Sequence, residues 1–168
     1  NTIGDTATLA HLLKYDSAYG IYEHEIEYDD KHIIIDGQKI LFLSEPDPLK
    51  LPWAKLQIDT VMECTGRFCN PADARQHITA GARKVVISAP AKGPGAKTVV
   101  LGVNEEVVTA DDEVISCASC TTNCIAPAMK ILEDNFGIEK AMMTTVHSYT
   151  ASQKLVDDSA KDLRESRA

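Results

Sequence analysis

Between Thr60 and Ser116 short apolar runs alternate with turns and helix-forming stretches, and this rhythm restricts the fold more than any other feature. Residues 60–64, 84–88, 98–103 and 114–116 are too short for buried helices and rich in valine, isoleucine and threonine. Between the first two, residues 71–80 form a predicted helix, with Pro71 in its first turn and Gly81 at its end. After the last, residues 121–135 form a longer predicted helix, with Ile125, Met129, Leu132 and Phe136 on one side and Gly137 closing it. A further apolar run, 141–146, reads as another strand. Short apolar strands separated by helices build a largely parallel α/β sheet. Ligands of such sheets sit beyond the carboxyl ends of the strands. Thr65-Gly66, Ser88-Ala89-Pro90 and the stretch from Ser116 to Cys120 all occupy such ends, so they are candidates to line one crevice.

The first fifty residues are different. Residues 6–15 read as a short helix capped by Thr6 or Thr8, with Leu9, Leu12 and Leu13 on its apolar face. Residues 33–35 and 40–43 read as two strands joined at Asp36-Gly37, a tight-turn dipeptide. Pro48 and Pro52 make 47–53 a loop.

The formal net charge of −8 argues against nucleic acid or an anionic membrane surface as partner. No run of 18 apolar residues suggests a membrane span, and the first residues carry no basic and apolar leader pattern. The five cysteines, Cys64, Cys69, Cys117, Cys120 and Cys124, are odd in number and bunched. That is unlike a secreted disulfide framework and favours a reducing, cytoplasmic setting. Cys117-x-x-Cys120 lacks a second such pair or a nearby His-x-His, so no metal site is expected.

Among the three clustered cysteines, position separates one. Cys120 falls where the 121–135 helix begins, and orphan N–H groups and the helix dipole favour a thiolate there. Cys124 lies one turn inside and is expected to point into packing; Cys117 precedes the turn. His147, in Thr144-Thr145-Val146-His147-Ser148-Tyr149-Thr150, is the candidate partner base. The same helix-start amides could hold an oxyanion formed by attack on a carbonyl. Ser119, Thr121 and Thr150 put hydroxyls beside the two reactive side chains, suited either to phosphate or to helix capping. Taken alone, the three thiols could equally be small core residues, and His147 a hydrogen-bonded structural histidine.

Several segments together carry a resemblance: Ser116 to Pro127, Met143 to Thr150, His11 to Ser17, Glu63-Cys64-Thr65-Gly66-Arg67-Phe68, Ile87 to Lys92 and Lys161-Asp162-Leu163-Arg164. In order and spacing they resemble phosphorylating glyceraldehyde-3-phosphate dehydrogenase, through essentially the whole chain. The resemblance implies a Rossmann-type doubly wound, largely parallel sheet, here incomplete, in residues 1–118. It implies the first elements of an α+β catalytic domain in 119–168. It implies NAD(P)-dependent oxidation and phosphorylation of glyceraldehyde 3-phosphate to 1,3-bisphosphoglycerate, in glycolysis or the Calvin cycle. Cys120 would form the thiohemiacetal and thioester, and His147 would move the proton. Ser119, Thr121, Thr150 and Arg167 would bind the phosphate of the substrate or inorganic phosphate. Asn1, Thr2, Thr65, Gly66 and Ser88 would lie near the dinucleotide. Residues 161–168 would open a loop that packs on a neighbouring subunit, and a homotetramer is implied.

Departures from that pattern bear on the cofactor. Thr2 stands where the family usually has the Asp that repels a 2′-phosphate, so NADP joins NAD as a candidate. Pro46 replaces a frequent Arg beside the adenosine, and Cys117 replaces a common Asn. No Gly-x-Gly-x-x-Gly turn is present, so the sequence is expected to be an internal portion of a longer polypeptide, inactive by itself. The competing readings are erythrose-4-phosphate dehydrogenase, which Tyr149-Thr150 disfavours, and a truncated non-catalytic binding or assembly module.

Overall fold

The computed structural model describes residues 1–153 together with Leu155 and Arg164. The predicted site residue Arg167, and most of the 161–168 loop, lie outside the described residues. The chain forms two compact units, Asn1–Ile131 and Leu132–Ala168.

In the first unit, α1 (Thr6–Lys14) starts at Asp5 rather than at a threonine: the Asp5 carboxylate accepts from Thr8 N–H at 2.7 Å and from the Thr8 hydroxyl at 2.9 Å. A charged acceptor that takes both donors outcompetes a hydroxyl cap. A two-residue hairpin follows, β1 (Tyr15–Asp16) with β2 (Gly20–Ile21). Next comes an antiparallel meander of β3 (Ile26–Asp29), β4 (His32–Ile35) and β5 (Gln38–Leu41). Asp36 and Gly37 both take positive φ, 48° and 80°, as the expected tight turn between β4 and β5 requires. β3 escaped the sequence reading because only Ile26 and Tyr28 mark it, between acidic neighbours. The 47–53 segment contains a 3₁₀ turn, Pro48–Lys50, before the short α2 (Trp53–Leu56).

The parallel sheet comes next. It contains β6 (Thr60–Glu63), β7 (Lys84–Ile87), β8 (Lys97–Thr98) and β9 (Val114–Ser116), in the order β6-β7-β9-β8, with every pair parallel. The crossover from β6 to β7 carries α3 (Pro71–Ala74) and α4 (Gln76–Thr79). Val85 and Ile87 are fully buried in the middle of the sheet, packed with Val114, Ala74 and Cys69. A second cluster joins Leu51, Trp53, Val61 and Ala82. Gly81 allows the turn into β7 to press against α2: a Cβ there would lie 2.4 Å from Ala54 Cβ, and its φ is +109°.

Three expected elements differ. The 71–80 helix is broken at Arg75, whose ψ of −14° flattens the turn. The 98–103 strand stops after Thr98. Asn104 intercepts the backbone there: its side chain donates to Thr98 O at 3.0 Å and accepts from Val100 N–H at 2.9 Å, in place of ladder bonds. Residues 141–146 form no strand, and Met142 and Val146 are fully exposed. Among the described residues of the second unit there is no strand for them to pair with. The helix that follows β9, α5 (Cys120–Phe136), runs one residue further at each end than expected, and Gly137 with φ 71° closes it.

Candidate functional site

The carboxyl ends of β6, β7 and β9 are tied together by their own backbone. Ser88 N–H donates to Glu63 O at 3.1 Å, and Cys117 N–H to Ile87 O at 2.9 Å. The buried Ser116 hydroxyl donates to Ala89 O at 2.7 Å and accepts from Ala118 N–H at 3.1 Å. The loops that begin at Cys64, Ser88 and Cys117 therefore leave the same edge of the sheet. Of the predicted residues there, Thr65, Gly66 and Ser88 are all exposed.

Cys120 is the first residue of α5, and its residue is exposed. Ser119 caps the helix: its Oγ accepts from Thr122 N–H at 2.9 Å and lies 2.8 Å from the Thr122 hydroxyl. Asn123 braces the turn from the other side, its Nδ2 donating to Cys117 O at 2.7 Å and Ser119 O at 2.8 Å. Ala118 takes φ 62°, which turns the chain sharply out of β9 into the helix. The capping use of Ser119 is thus realised; Thr121 is half-buried beside it. Cys124 is exposed rather than packed, because no part of the chain among the described residues covers α5 closely enough to bury any of its residues. None of the five cysteines is in a disulfide.

A second group of side chains surrounds the entry of the chain. Asn1 pairs with Glu45 twice, Nδ2 donating to its carbonyl at 3.1 Å and Oδ1 accepting its N–H at 3.0 Å. Thr2 N–H donates to Leu43 O at 3.0 Å. Asn1 and Thr2 line a cavity of about 270 Å3 with Glu45, Pro46, Thr65 and Arg67. They also line a neighbouring cavity of about 480 Å3 with Trp53, Cys64 and Thr65. Glu63 and His77 line both.

Glu63 and His77 are site-lining residues that the sequence reading missed. Glu63 Oε1 accepts Thr65 N–H at 2.8 Å and the Thr65 hydroxyl, and Oε2 faces His77 Nε2 at 3.1 Å. Burial pushes the Glu63 carboxyl up, but the hydrogen bonds from His77 and Thr65 outweigh it and hold the group below the usual glutamate range. The only trace in the sequence was Glu63 inside an otherwise apolar strand. Nothing at that position pointed to a histidine fourteen residues on.

In the second unit, His147 is exposed and its Nδ1 lies 2.6 Å from Ser148 O. A carbonyl only accepts, so Nδ1 carries a proton and a neutral ring keeps its basic lone pair on Nε2. Thr150 Oγ1 lies 3.0 Å from the Ser152 hydroxyl, and Thr150 N–H donates to Gln153 Oε1 at 3.0 Å.

Residues 1–71 match the family model for the glyceraldehyde 3-phosphate dehydrogenase NAD binding domain, and residues 119–168 match that for its C-terminal domain. The chain is 52% identical over its whole length to a glyceraldehyde-3-phosphate dehydrogenase of Thermotoga maritima, covering 50% of that protein. It is 51% identical to one of Mycoplasma pneumoniae, again over 100% of the chain and 50% of the relative. To the chloroplastic enzyme of Gracilaria gracilis it is 47% identical over 99% of the chain and 41% of the relative. The chain spans about half the length of the curated relatives it matches. Near 50% identity along the entire chain, two domain models in the right order and the parallel α/β sheet agree: the chain belongs to the glyceraldehyde-3-phosphate dehydrogenase family.

Proposed function

We propose that this chain supplies the cofactor-side sheet and the reactive thiol of an NAD(P)-dependent glyceraldehyde-3-phosphate dehydrogenase. The observation that carries the reading is Cys120 at the first position of a 17-residue helix, exposed and flanked by a capped turn. Helix-start amides lower a thiol's pKa and can receive an oxyanion. The Cys120 thiolate adds to the aldehyde carbon of glyceraldehyde 3-phosphate, and the resulting oxyanion takes a proton from water to give a thiohemiacetal. His147 takes the hydroxyl proton through Nε2 as the C–H hydride leaves, and a thioester remains. Inorganic phosphate then attacks the acyl carbon, releasing 1,3-bisphosphoglycerate and restoring the Cys120 thiolate. The nicotinamide, when bound, accepts the hydride. Ser119, Thr121, Thr150 and Arg167 are assigned to the phosphate groups.

The residues around the two cavities fit a dinucleotide. Thr2 and Thr65 offer hydroxyl groups of the kind that hold ribose hydroxyls, Thr65 at the carboxyl end of the parallel strand β6. Asn1, Thr2, Thr65, Gly66 and Ser88 would hold that cofactor. Thr2 leaves no carboxylate at its own position to repel a 2′-phosphate, so NADP is accepted as well as NAD. Residues 1–118 are assigned to the cofactor domain and 119–168 to the catalytic domain, in a cytoplasmic homotetramer.

The test is phosphate-dependent reduction of NAD and NADP by glyceraldehyde 3-phosphate, in the full polypeptide. Cys120→Ser should lower kcat at least about a thousandfold, and His147→Asn about 10²–10⁴-fold. Unchanged turnover in Cys120→Ser overturns the reading. A strong preference for NAD overturns the assignment of dual cofactor use.

A further inference from the structure

Beneath the turn that carries Thr65 lies a buried polar chain that the proposed reaction does not use. The Trp53 indole N–H can only donate, and it meets His77 Nδ1 at 3.0 Å. Nδ1 is therefore the acceptor, the ring proton sits on Nε2, and Nε2 donates to Glu63 Oε2 at 3.1 Å. The other carboxylate oxygen takes the Thr65 N–H at 2.8 Å and the Thr65 hydroxyl, whose oxygen accepts Arg67 N–H at 3.1 Å. Donors from two sides thus converge on one carboxylate. The side chains of His77 and Glu63 are only 5% and 4% exposed.

Burying a carboxylate against a neutral ring is an unfavourable way to join two elements; apolar side chains would do that as well or better. An apolar side chain could not grip the backbone and hydroxyl of Thr65. That grip sets the course of Thr65, Gly66 and Arg67 as they leave β6, with Gly66 at φ 72°. Glu63, Thr65 and His77 all line both cavities that Asn1 and Thr2 share.

We propose that Glu63 and His77 are positioning residues for the dinucleotide: their hydrogen-bonded chain, anchored on Trp53, holds the Thr65–Gly66 turn in the shape that receives the cofactor. The assignment rests on the reading of these cavities as the nucleotide site.

The direction of the chain makes it testable. Glu63→Gln leaves one acceptor where there were two. If the amide oxygen keeps Thr65, the amide NH₂ meets His77 Nε2–H. Moving the ring proton to Nδ1 then sets it against the Trp53 N–H. If the oxygen keeps His77 instead, the NH₂ faces the Thr65 N–H. A buried donor opposes a donor in every arrangement, and the conflict is eased at His77 only when the Trp53 donor is also removed.

The experiment combines NAD titration calorimetry with the NMR resonance of the Trp53 indole N–H, in the full polypeptide. The resonance is assigned by its loss in Trp53→Phe. In the parent, saturating NAD should shift that resonance. Glu63→Gln, folded by circular dichroism, should bind NAD about tenfold more weakly. Adding Trp53→Phe to it should recover part of the loss, a non-additive pair. A purely structural pair predicts a lower Tm with unchanged NAD affinity, and that result overturns the proposal. Should Glu63→Gln fail to fold, the parent decides: an indole resonance unmoved by saturating NAD overturns it. A parent that binds no NAD in the calorimeter overturns the nucleotide reading and this assignment with it, an outcome distinct from either of the others.

Discussion

Residues 114–116 and 142–146 look alike in sequence. Each is short, carries β-branched residues, and leads towards a side chain proposed for catalysis, Cys120 in one case and His147 in the other. The first is a buried strand with a parallel neighbour on both sides, β7 and β8. The second has no regular structure, and its Val146 is fully exposed. Propensity alone does not decide it, since Thr144, Thr145 and Val146 are three β-branched residues in a row. The difference lies in whether a hydrogen-bonding edge is present among the described residues. β-propensity measures fit to a pleated, half-buried surface, and a segment without that surface gains nothing from it.

Substitutions can break this contrast. Ile87→Ala, in the fully buried centre of the sheet, should destabilise the chain by about 2–5 kcal/mol in denaturant unfolding. Val146→Ala should stay within about 0.5 kcal/mol of the parent. A Val146 effect as large as that of Ile87 would mean that 142–146 does find a packed partner. Gly81→Ala comes next, at about 1–3 kcal/mol, because the new methyl meets Ala54 at a positive φ. Asn104→Ala should cost about 1 kcal/mol by losing its bonds to Thr98 and Val100. Amide exchange will show whether β8 then lengthens towards Val103. A β8 that still stops at Thr98 would show that more than Asn104 ends it.

The smallest effect is electrostatic. Asp112 accepts from Lys97 Nζ at 2.7 Å and from Thr109, and these bonds lower its pKa from 3.8 to about 2. Because the folded value lies below the unfolded one, this contribution is complete above pH 4. It disappears as pH falls through about 2. Asp112→Asn should flatten that part of the acid-unfolding curve and leave the neutral region little changed. The exposure of its partner Lys97, 40% at the side chain, lets solvent screen the pair and keeps the effect small.

What could be read from the sequence follows the same division. The strands β6, β7 and β9, the Asp36-Gly37 turn and the start of α5 are written in local residue types: β-branched runs, a positive-φ pair, a serine before a helix. Asn104 was also visible, but its effect is not local, since one amide side chain replaced the ladder beyond Thr98. Arg75 gives no helix-breaking signal, and the flattened turn there belongs to the packed crossover. The Glu63–His77 contact spans fourteen residues and exists only after α4 lies across β6. The place of Cys120 at a helix start was legible, since the helix-forming run begins beside it. Cys124 departs from expectation because a position one turn inside a helix does not guarantee a neighbour to pack against.

The order β6-β7-β9-β8 also sets a schedule for synthesis. A ribosome delivers Lys97 and Thr98 before Val114 to Ser116, yet β8 pairs with β9 and not with β7. The earlier segment must wait, unzipped, until the later one slots in between it and β7. The nascent chain grows by only about 5–20 residues each second, so that wait lasts on the order of a second. The thiol that follows β9 is thereby among the last groups of this sheet to be put in place, and it takes up its helix-start setting only once its scaffold has closed behind it.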